Sequence, residues 1–492
     1  MRNEWKGMWL ALALIALLPA GTAAQEAALP LSLDDALERA LEESEEVRLA
    51  SARVDAASAR TQNAWSNALP QLNTQLGYTK TLKSVFQTAG DIQIPDSMRF
   101  NPDPNAPLDE RVTYLEDHTG AAAFESLAAV FSELPFGNEN TWVAGLSASQ
   151  PIFAGGRIRS SIQAAEHAEA AALAASDEAS ADSVLQVRQA YYDAALAAAT
   201  VTIVEASVVL AQRHLEDVRL REDAGRASEL ELLRAEVEAE NLQPQLVQAR
   251  NGRELALLNL KRLVNLPANA AVELTTPLVP AEGEDAAVPT QTLPDLDEVQ
   301  EQLSRRAALR AAESQVAAAQ EGVDIARSAW LPTVALSANL SRQAFPDETF
   351  TFPGGGDWND DWTVGVMAQW PLFQGFRRNA QIDEAQAVVQ EAELGLEQLR
   401  ESFAIEYQQA QGELERARAQ LGAAQRTAQQ ALRVYELTEM RFREGLATQL
   451  EVDNARLALQ QARLNEVQAY HDAWVAIARA ERALGTTDVP RP

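Results

Sequence analysis

The chain carries one segment twice at a fixed separation. Pro151-Ile152-Phe153-Ala154-Gly155-Gly156-Arg157 returns as Pro371-Leu372-Phe373-Gln374-Gly375-Phe376-Arg377. Downstream, Ala224-Gly225-Arg226-Ala227-Ser228-Glu229-Leu230-Glu231 returns as Glu444-Gly445-Leu446-Ala447-Thr448-Gln449-Leu450-Glu451. Pro151 and Pro371 lie 220 residues apart, and so do Gly225 and Gly445. A stretch of about a hundred residues has therefore kept its length in both copies, which loops do not require but rods ending at one height do.

Each Pro-x-Phe-x-Gly-x-Arg motif opens a proline-free run, 158–222 and 378–442. As helix, a run of this length would reach roughly 100 Å at 1.5 Å per residue, a coiled-coil dimension. Return helices are expected over 229–264 and 449–484, the second carrying a seam of Val467, Tyr470, Trp474, Ile477 and Leu484 close to period 3.5. The turns between, 223–228 and 443–448, have the chemistry of helix ends. Gly225 and Gly445 suit a left-handed terminal residue. Ser228 and Thr448 suit N-caps, and Glu231 and Glu451 complete capping boxes. Shorter helices are expected over about 34–66 and 296–330, each stopped by a proline, Pro70 or Pro332.

Four segments switch to period two: about 69–82, 141–150, 331–342 and 361–371. In the first, Leu72, Leu76 and Tyr78 alternate with Asn73, Gln75 and Gly77. In the fourth, Trp362, Val364, Val366 and Trp370 alternate with Thr363, Gly365 and Gln369. One apolar face and one small polar face mark strands with lipid or core on one side and water on the other. Ten residues or so suffice for a tilted strand to cross a bilayer. Tyr78, Trp142, Trp362 and Trp370 sit near segment ends, where interfacial aromatic girdles lie. A soluble sheet with one wet face is the commoner source of such alternation, but it needs a covering layer, and helices this long are poor lids. Four strands cannot close a barrel, and an open edge does not persist in lipid. Membrane strands here thus imply an oligomer, of which three chains would supply about twelve strands. The linking segments 83–140 and 343–360 are polar and rich in Pro and Gly, as external loops are.

Residues 1–24 read as a secretory signal: Arg2 and Lys6, then the apolar stretch Leu10 to Leu18, then Thr22-Ala23-Ala24. No later apolar run is expected to be long enough to cross a membrane as a helix. The boundaries are then a first repeat at 25–266, a Pro-rich acidic linker at 267–294, a second repeat at 295–485 and a tail at 486–492. A formal charge of −30 argues against nucleic acid as a partner. The absence of cysteine excludes disulfides, thiolate metal sites and an N-terminal lipid-bearing cysteine. His118, His167, His214 and His471 lack triad or metal spacing, so no catalytic residues, metal or cofactor are expected.

Leu69-Pro70 and Leu331-Pro332 opening strands, the two strand–helix motifs (Pro151, Phe153, Gly155, Arg157; Pro371, Phe373, Gly375, Arg377) and the two tip glycines, in this order, resemble the TolC-like outer membrane efflux proteins. The resemblance implies a mainly α fold with membrane β: a homotrimeric transmembrane β-barrel of about 12 strands, four per chain, continuous with a long periplasmic α-helical barrel. It implies location in the outer membrane, with lipid around the strands. It implies tips (Gly225, Arg226, Ser228, Gly445, Leu446, Thr448) that dock on a periplasmic membrane-fusion adaptor. It also implies an inner-membrane transporter of RND, ABC or MFS type, together making an efflux or type I secretion duct. Acidic rings at the periplasmic entrance fall on Glu451 and, departing from the pattern, on Asn454, with Asp453 a possible substitute. The family's lock between neighbouring tips keeps its acid at Glu231, but Phe442 and Ala447 stand where its tyrosine and arginine would be. A periplasmic coiled-coil tether with a small sheet is the alternative, and the membrane-type strands argue against it.

Overall fold

A computed structural model of the chain describes residues 28–83, 100–120, 123, 138–280 and 293–486. The expected signal at 1–24 lies outside the described residues, as do much of the 83–140 loop, 281–292 of the linker and the tail beyond 486. The chain forms two compact units. The first comprises Met1–Ala59, Glu166–Ala319 and Val388–Pro492, the second Arg60–Ala165 and Gln320–Ala387.

In the second unit, β2 (Gln71–Lys80), β3 (Asn140–Phe153), β5 (Thr333–Ala344) and β6 (Asn359–Gln369) form one antiparallel sheet in the order β2-β3-β5-β6. Its register decides its character. Leu72 pairs with Ala148, Ala148 with Ala338, and Ala338 with Val364. Leu146 pairs with Leu340, and Leu340 with Trp362. Facing residues share a side of a sheet, so one mostly apolar face spans the four strands, interrupted by Thr74 opposite Leu146 and, in the row of Leu76 and Ala144, by the Arg342–Asp360 ion pair at 2.7 Å. The other carries Asn73, Ser147, Asn339 and Thr363. Leu72, Leu76, Trp362, Val364 and Val366 stand exposed on the apolar face. Among the described residues, both β2 and β6 pair on one side only. β3 extends beyond the expected 141–150, carrying its pairing through an irregularity at Pro151 and Phe153.

In chain order, each long helix runs from a strand motif to a tip: α4 (Arg157–Asp223) and α8 (Arg377–Arg443), 67 residues each. Their return partners are α5 (Glu229–Leu263) and α9 (Gln449–Leu484). α5 continues through Pro244, which is exposed along with Glu240, so the carbonyl freed one turn earlier remains open to water. The expectation of no later membrane-length apolar helix fails on α4. By length and composition α4 contains an 18-residue window that could cross a bilayer. Val201, Val204, Val208 and Ala211 of α4 instead pack against Ala239, Leu242 and Leu246 of α5. A small aliphatic stripe suits close helix pairing as well as lipid.

Local differences from the sequence reading have local causes. The expected 34–66 helix is two, α1 (Leu33–Glu43) and α2 (Glu45–Ser66), because buried Ser44 leaves the helical conformation and its Oγ caps the Val47 amide at 3.2 Å. The expected 296–330 helix divides into α6 (Leu296–Ser304) and α7 (Ala307–Ser328) around buried Arg306. A short helix, α3 (Leu108–Asp117), interrupts the 83–140 loop. The linker contributes β4 (Val272–Leu274), which pairs in parallel with β1 (Leu29–Leu31). Fully buried Tyr191 secures that pair: its hydroxyl donates to the Leu31 carbonyl at 3.0 Å and accepts from the Thr276 amide at 2.9 Å. Around it Leu37, Val187, Leu260 and Val264 form a core, each buried side chain contributing about 1.5–3 kcal/mol.

Candidate functional site

Both tips have the same construction. In the first, the Gly225 amide donates to the Glu222 carbonyl at 2.7 Å and the Arg226 amide to Arg221 at 2.7 Å. In the second, Gly445 donates to Phe442 at 3.0 Å and Leu446 to Arg441 at 2.8 Å. These paired bonds close a Schellman turn and require a left-handed residue between them. Gly225 and Gly445 supply it, with φ of 69° and 75°. The next helix is then capped at once. Ser228 and Thr448 accept from the amides of Glu231 and Glu451, and each glutamate accepts back from its cap's amide, at 2.7 and 2.6 Å. Hydrogen bonds from the Thr448 amide and then its hydroxyl hold the Glu451 carboxyl below the usual glutamate range, so it is ionised at neutral pH.

Contacts between the two hairpins give this region its specificity. The Gln449 side chain, buried, donates to the Glu231 carbonyl at 3.2 Å. The Arg221 guanidinium lies 4.6 Å over the Phe442 ring, and the His214 ring packs 5.8 Å from the same phenyl. His214 Nε2 stands 3.7 Å from Asp453 Oδ1. Arg456, almost fully buried, pairs with Glu238 and lies 3.9 Å from Asp453. Burial pushes the Asp453 carboxyl up against the opposing pull of His214 and Arg234, and burial pushes His214 down. Two hairpins far apart in sequence are thus joined by a half-buried polar cluster.

The residues singled out from the sequence separate accordingly. Glu231 and Glu451 cap helices, Asn454 is exposed on α9, and Asp453 is turned toward His214 and Arg456 within the protomer. Arg226, Ser228, Leu446 and Thr448 are exposed at the turns, flanked by exposed Leu230, Leu233 and Leu450. Sequence reasoning missed His214, Arg456 and Glu238, because every contact they make across the hairpins spans more than two hundred residues or joins separate helices.

The strand–helix motifs belong to the other unit. Pro151 and Phe153 lie in β3, while Pro371 and Phe373 follow β6. Gly155 (φ 62°) approaches α7 so closely that a Cβ there would meet the Ser328 carbonyl oxygen at 2.7 Å and Leu331 Cβ at 2.9 Å. Gly375 adopts φ 59° and Phe376 φ 64°, the latter where the first copy has Gly156. Arg157 and Arg377 are exposed at helix starts. The buried arginine is its neighbour Arg378, stacked 4.2 Å over Trp330 and donating to the Leu372 carbonyl at 2.7 Å.

The family model described as "Outer membrane efflux protein" matches residues 120–266 and 299–486. The pyoverdine export outer membrane protein OpmQ of Pseudomonas aeruginosa is 27% identical over 466 residues, covering 92% of this chain and 83% of OpmQ. Protein CyaE of Bordetella pertussis is 30% identical over 239 residues, a match spanning 48% of this chain and about half (48%) of CyaE's own length. Among solved structures, the outer membrane protein VceC of Vibrio cholerae superposes with a TM-score of 0.68 at 21% identity, over 92% of this chain and 96% of that one.

Proposed function

Because this chain belongs to the outer membrane efflux protein family, a family of outer-membrane channel proteins with a periplasmic helical domain, we propose that it is the outer-membrane duct of a tripartite efflux or type I secretion system. Three copies complete one barrel by pairing β6 of each with β2 of the next, giving about twelve strands. The observation that carries this reading is the sheet: a mostly apolar face whose Arg342–Asp360 ion pair lies toward one end, a small polar face and, among the described residues, an unpaired edge on each side. Such edges are not stable in lipid unless paired.

The tips form the inner end of the duct. Exposed Arg226, Ser228, Leu446 and Thr448, with Gly225 and Gly445 shaping the turns, receive a periplasmic adaptor that couples the duct to an inner-membrane transporter. The apolar rim of Leu230, Leu233, Leu446 and Leu450 has no core of its own to serve and favours a protein partner. The Glu451 carboxylates gather near the axis and set cation preference. OpmQ, named for pyoverdine export, favours an export role over a tether.

Single-channel recording in planar bilayers tests the duct and its mouth together. The expected result is stepwise, cation-selective conductance that loses cation preference in Glu451→Ala. Absence of conductance contradicts the duct, and unchanged selectivity in the variant contradicts the Glu451 ring.

A further inference from the structure

The segment joining β5 to β6 does not stand free. It folds back over the end of its own sheet, on the apolar side. Lys80 donates from Nζ to Thr349 Oγ1 at 2.7 Å, and the Trp142 indole donates to the Thr351 carbonyl at 2.8 Å. Tyr78 donates to Asn140 Oδ1 at 2.7 Å and accepts from the Phe350 amide at 3.3 Å, while Asn140 donates to the Asp347 carbonyl at 3.1 Å. Phe350 lies 4.4 Å from the Tyr78 ring, and Phe352 lies 5.3 Å from Trp142 and 5.9 Å from Trp358.

The register assigns the face. Tyr78 pairs with Trp142, and Trp142 with Ala344, in the row next along from Leu76 and Ala144. On β2 and β3 these residues therefore continue the apolar face beyond Leu76 and Ala144, while on β5 and β6 the adjoining row holds the Arg342–Asp360 ion pair at 2.7 Å, as the polar edge of a lipid-facing belt does. Ala344 is fully buried (0%), yet Phe350 and Phe352 are 72% and 63% exposed. Phe350 holds φ at 61°, a conformation a bulky residue rarely adopts without compensating contacts. Two large apolar rings are thus turned outward from a pinned loop, continuous with the face that meets lipid.

We propose that residues 345–358 are a membrane-contact element: the loop lies along the lipid-facing side of the barrel at its outer rim, with Phe350 and Phe352 seated in the interfacial zone of the bilayer. This rests on the barrel reading above, since that reading makes the apolar face the lipid face. Aromatic rings with adjacent polar groups prefer this depth. The alternative occupants are water, if the loop caps the pore, and the chain's own 81–139 segment.

The cysteine-free chain makes the test direct. Single variants Phe352→Cys and Phe350→Cys, with Val366→Cys on the apolar face and Asn339→Cys on the polar face as references, are spin-labelled in phosphatidylethanolamine–phosphatidylglycerol vesicles. Collision rates with oxygen, which partitions into lipid, and with a water-soluble nickel chelate are then compared. The expected result is that the 352 and 350 labels shift toward oxygen relative to 339, at a shallower depth than 366. If 366 is oxygen-accessible while 352 and 350 meet the nickel chelate, or are shielded from both reagents, the proposal is overturned and the barrel stands. If 366 itself meets the nickel chelate, both fail. Either loop position suffices should the other variant not assemble.

Discussion

His214 and His471 are both half-buried, yet their protonation acts in opposite directions. Burial lowers the His214 pKa below its ordinary 6.5, and Asp453 only partly offsets this. At His471 burial also lowers it, but bonds to Asp193 (2.7 Å) and Asp472 (3.0 Å) prevail and raise it. A histidine whose folded pKa is depressed weakens the fold as pH falls from 6.5 toward that folded value. One whose pKa is raised contributes stability below 6.5 that is lost as pH rises through its folded value. His214→Gln should therefore gain thermal stability relative to wild type as pH is lowered below 6.5, whereas the deficit of His471→Gln should be full below 6.5 and shrink as pH rises above it. Parallel melting curves on both sides of that pH check both signs. The tip acids differ in legibility for the same reason. Glu231 and Glu451 could be read from four consecutive positions because a capping box is local. The surroundings of Asp453 could not, since His214 and Arg456 reach it only through the packing of two hairpins.

At the scale of elements, glycine marks two different constraints. A Cβ added at Gly225 or Gly445 would meet nothing within 4 Å, so alanine there incurs only the left-handed backbone penalty, about 1–2 kcal/mol. At Gly155 the same penalty is joined by overlap with a carbonyl oxygen and a side chain. Overpacking of this kind typically adds about 1–3 kcal/mol. Gly155→Ala should lower the melting temperature of the detergent-solubilised protein more than Gly225→Ala or Gly445→Ala. Equal shifts would mean that α7 yields. The strand and helix periods were plain in the sequence, because alternation and proline-free runs act over neighbouring residues. The breaks at Ser44 and Arg306 were not. Arg306 interrupts a helical run because Glu178 and Glu406 (3.3 and 2.9 Å) hold its side chain, and both partners lie about a hundred residues or more away.

For the molecule as a whole, one ionic centre in the helical unit ties distant elements together. Arg306 and Arg482, 3% and 5% exposed, share Glu178, which also accepts the Ala308 amide at 3.2 Å. Burial raises the Glu178 carboxyl, but Arg482, Arg306 and that amide outweigh it and hold the group below its ordinary value. Glu178→Ala leaves two buried guanidinium groups short of a partner, and breaking such a pair typically costs about 3–5 kcal/mol. A denaturation midpoint unchanged by this substitution would show that Asp182, 2.7 Å from Arg482, and Glu406, 2.9 Å from Arg306, suffice. The sheet poses the larger question, because among the described residues its edge strands β2 and β6 each pair on one side only. Native mass spectrometry of the protein released from detergent micelles answers it. A barrel completed between copies predicts a trimer that dissociates only with loss of the strands; a folded monomer that stays in solution without detergent would contradict it.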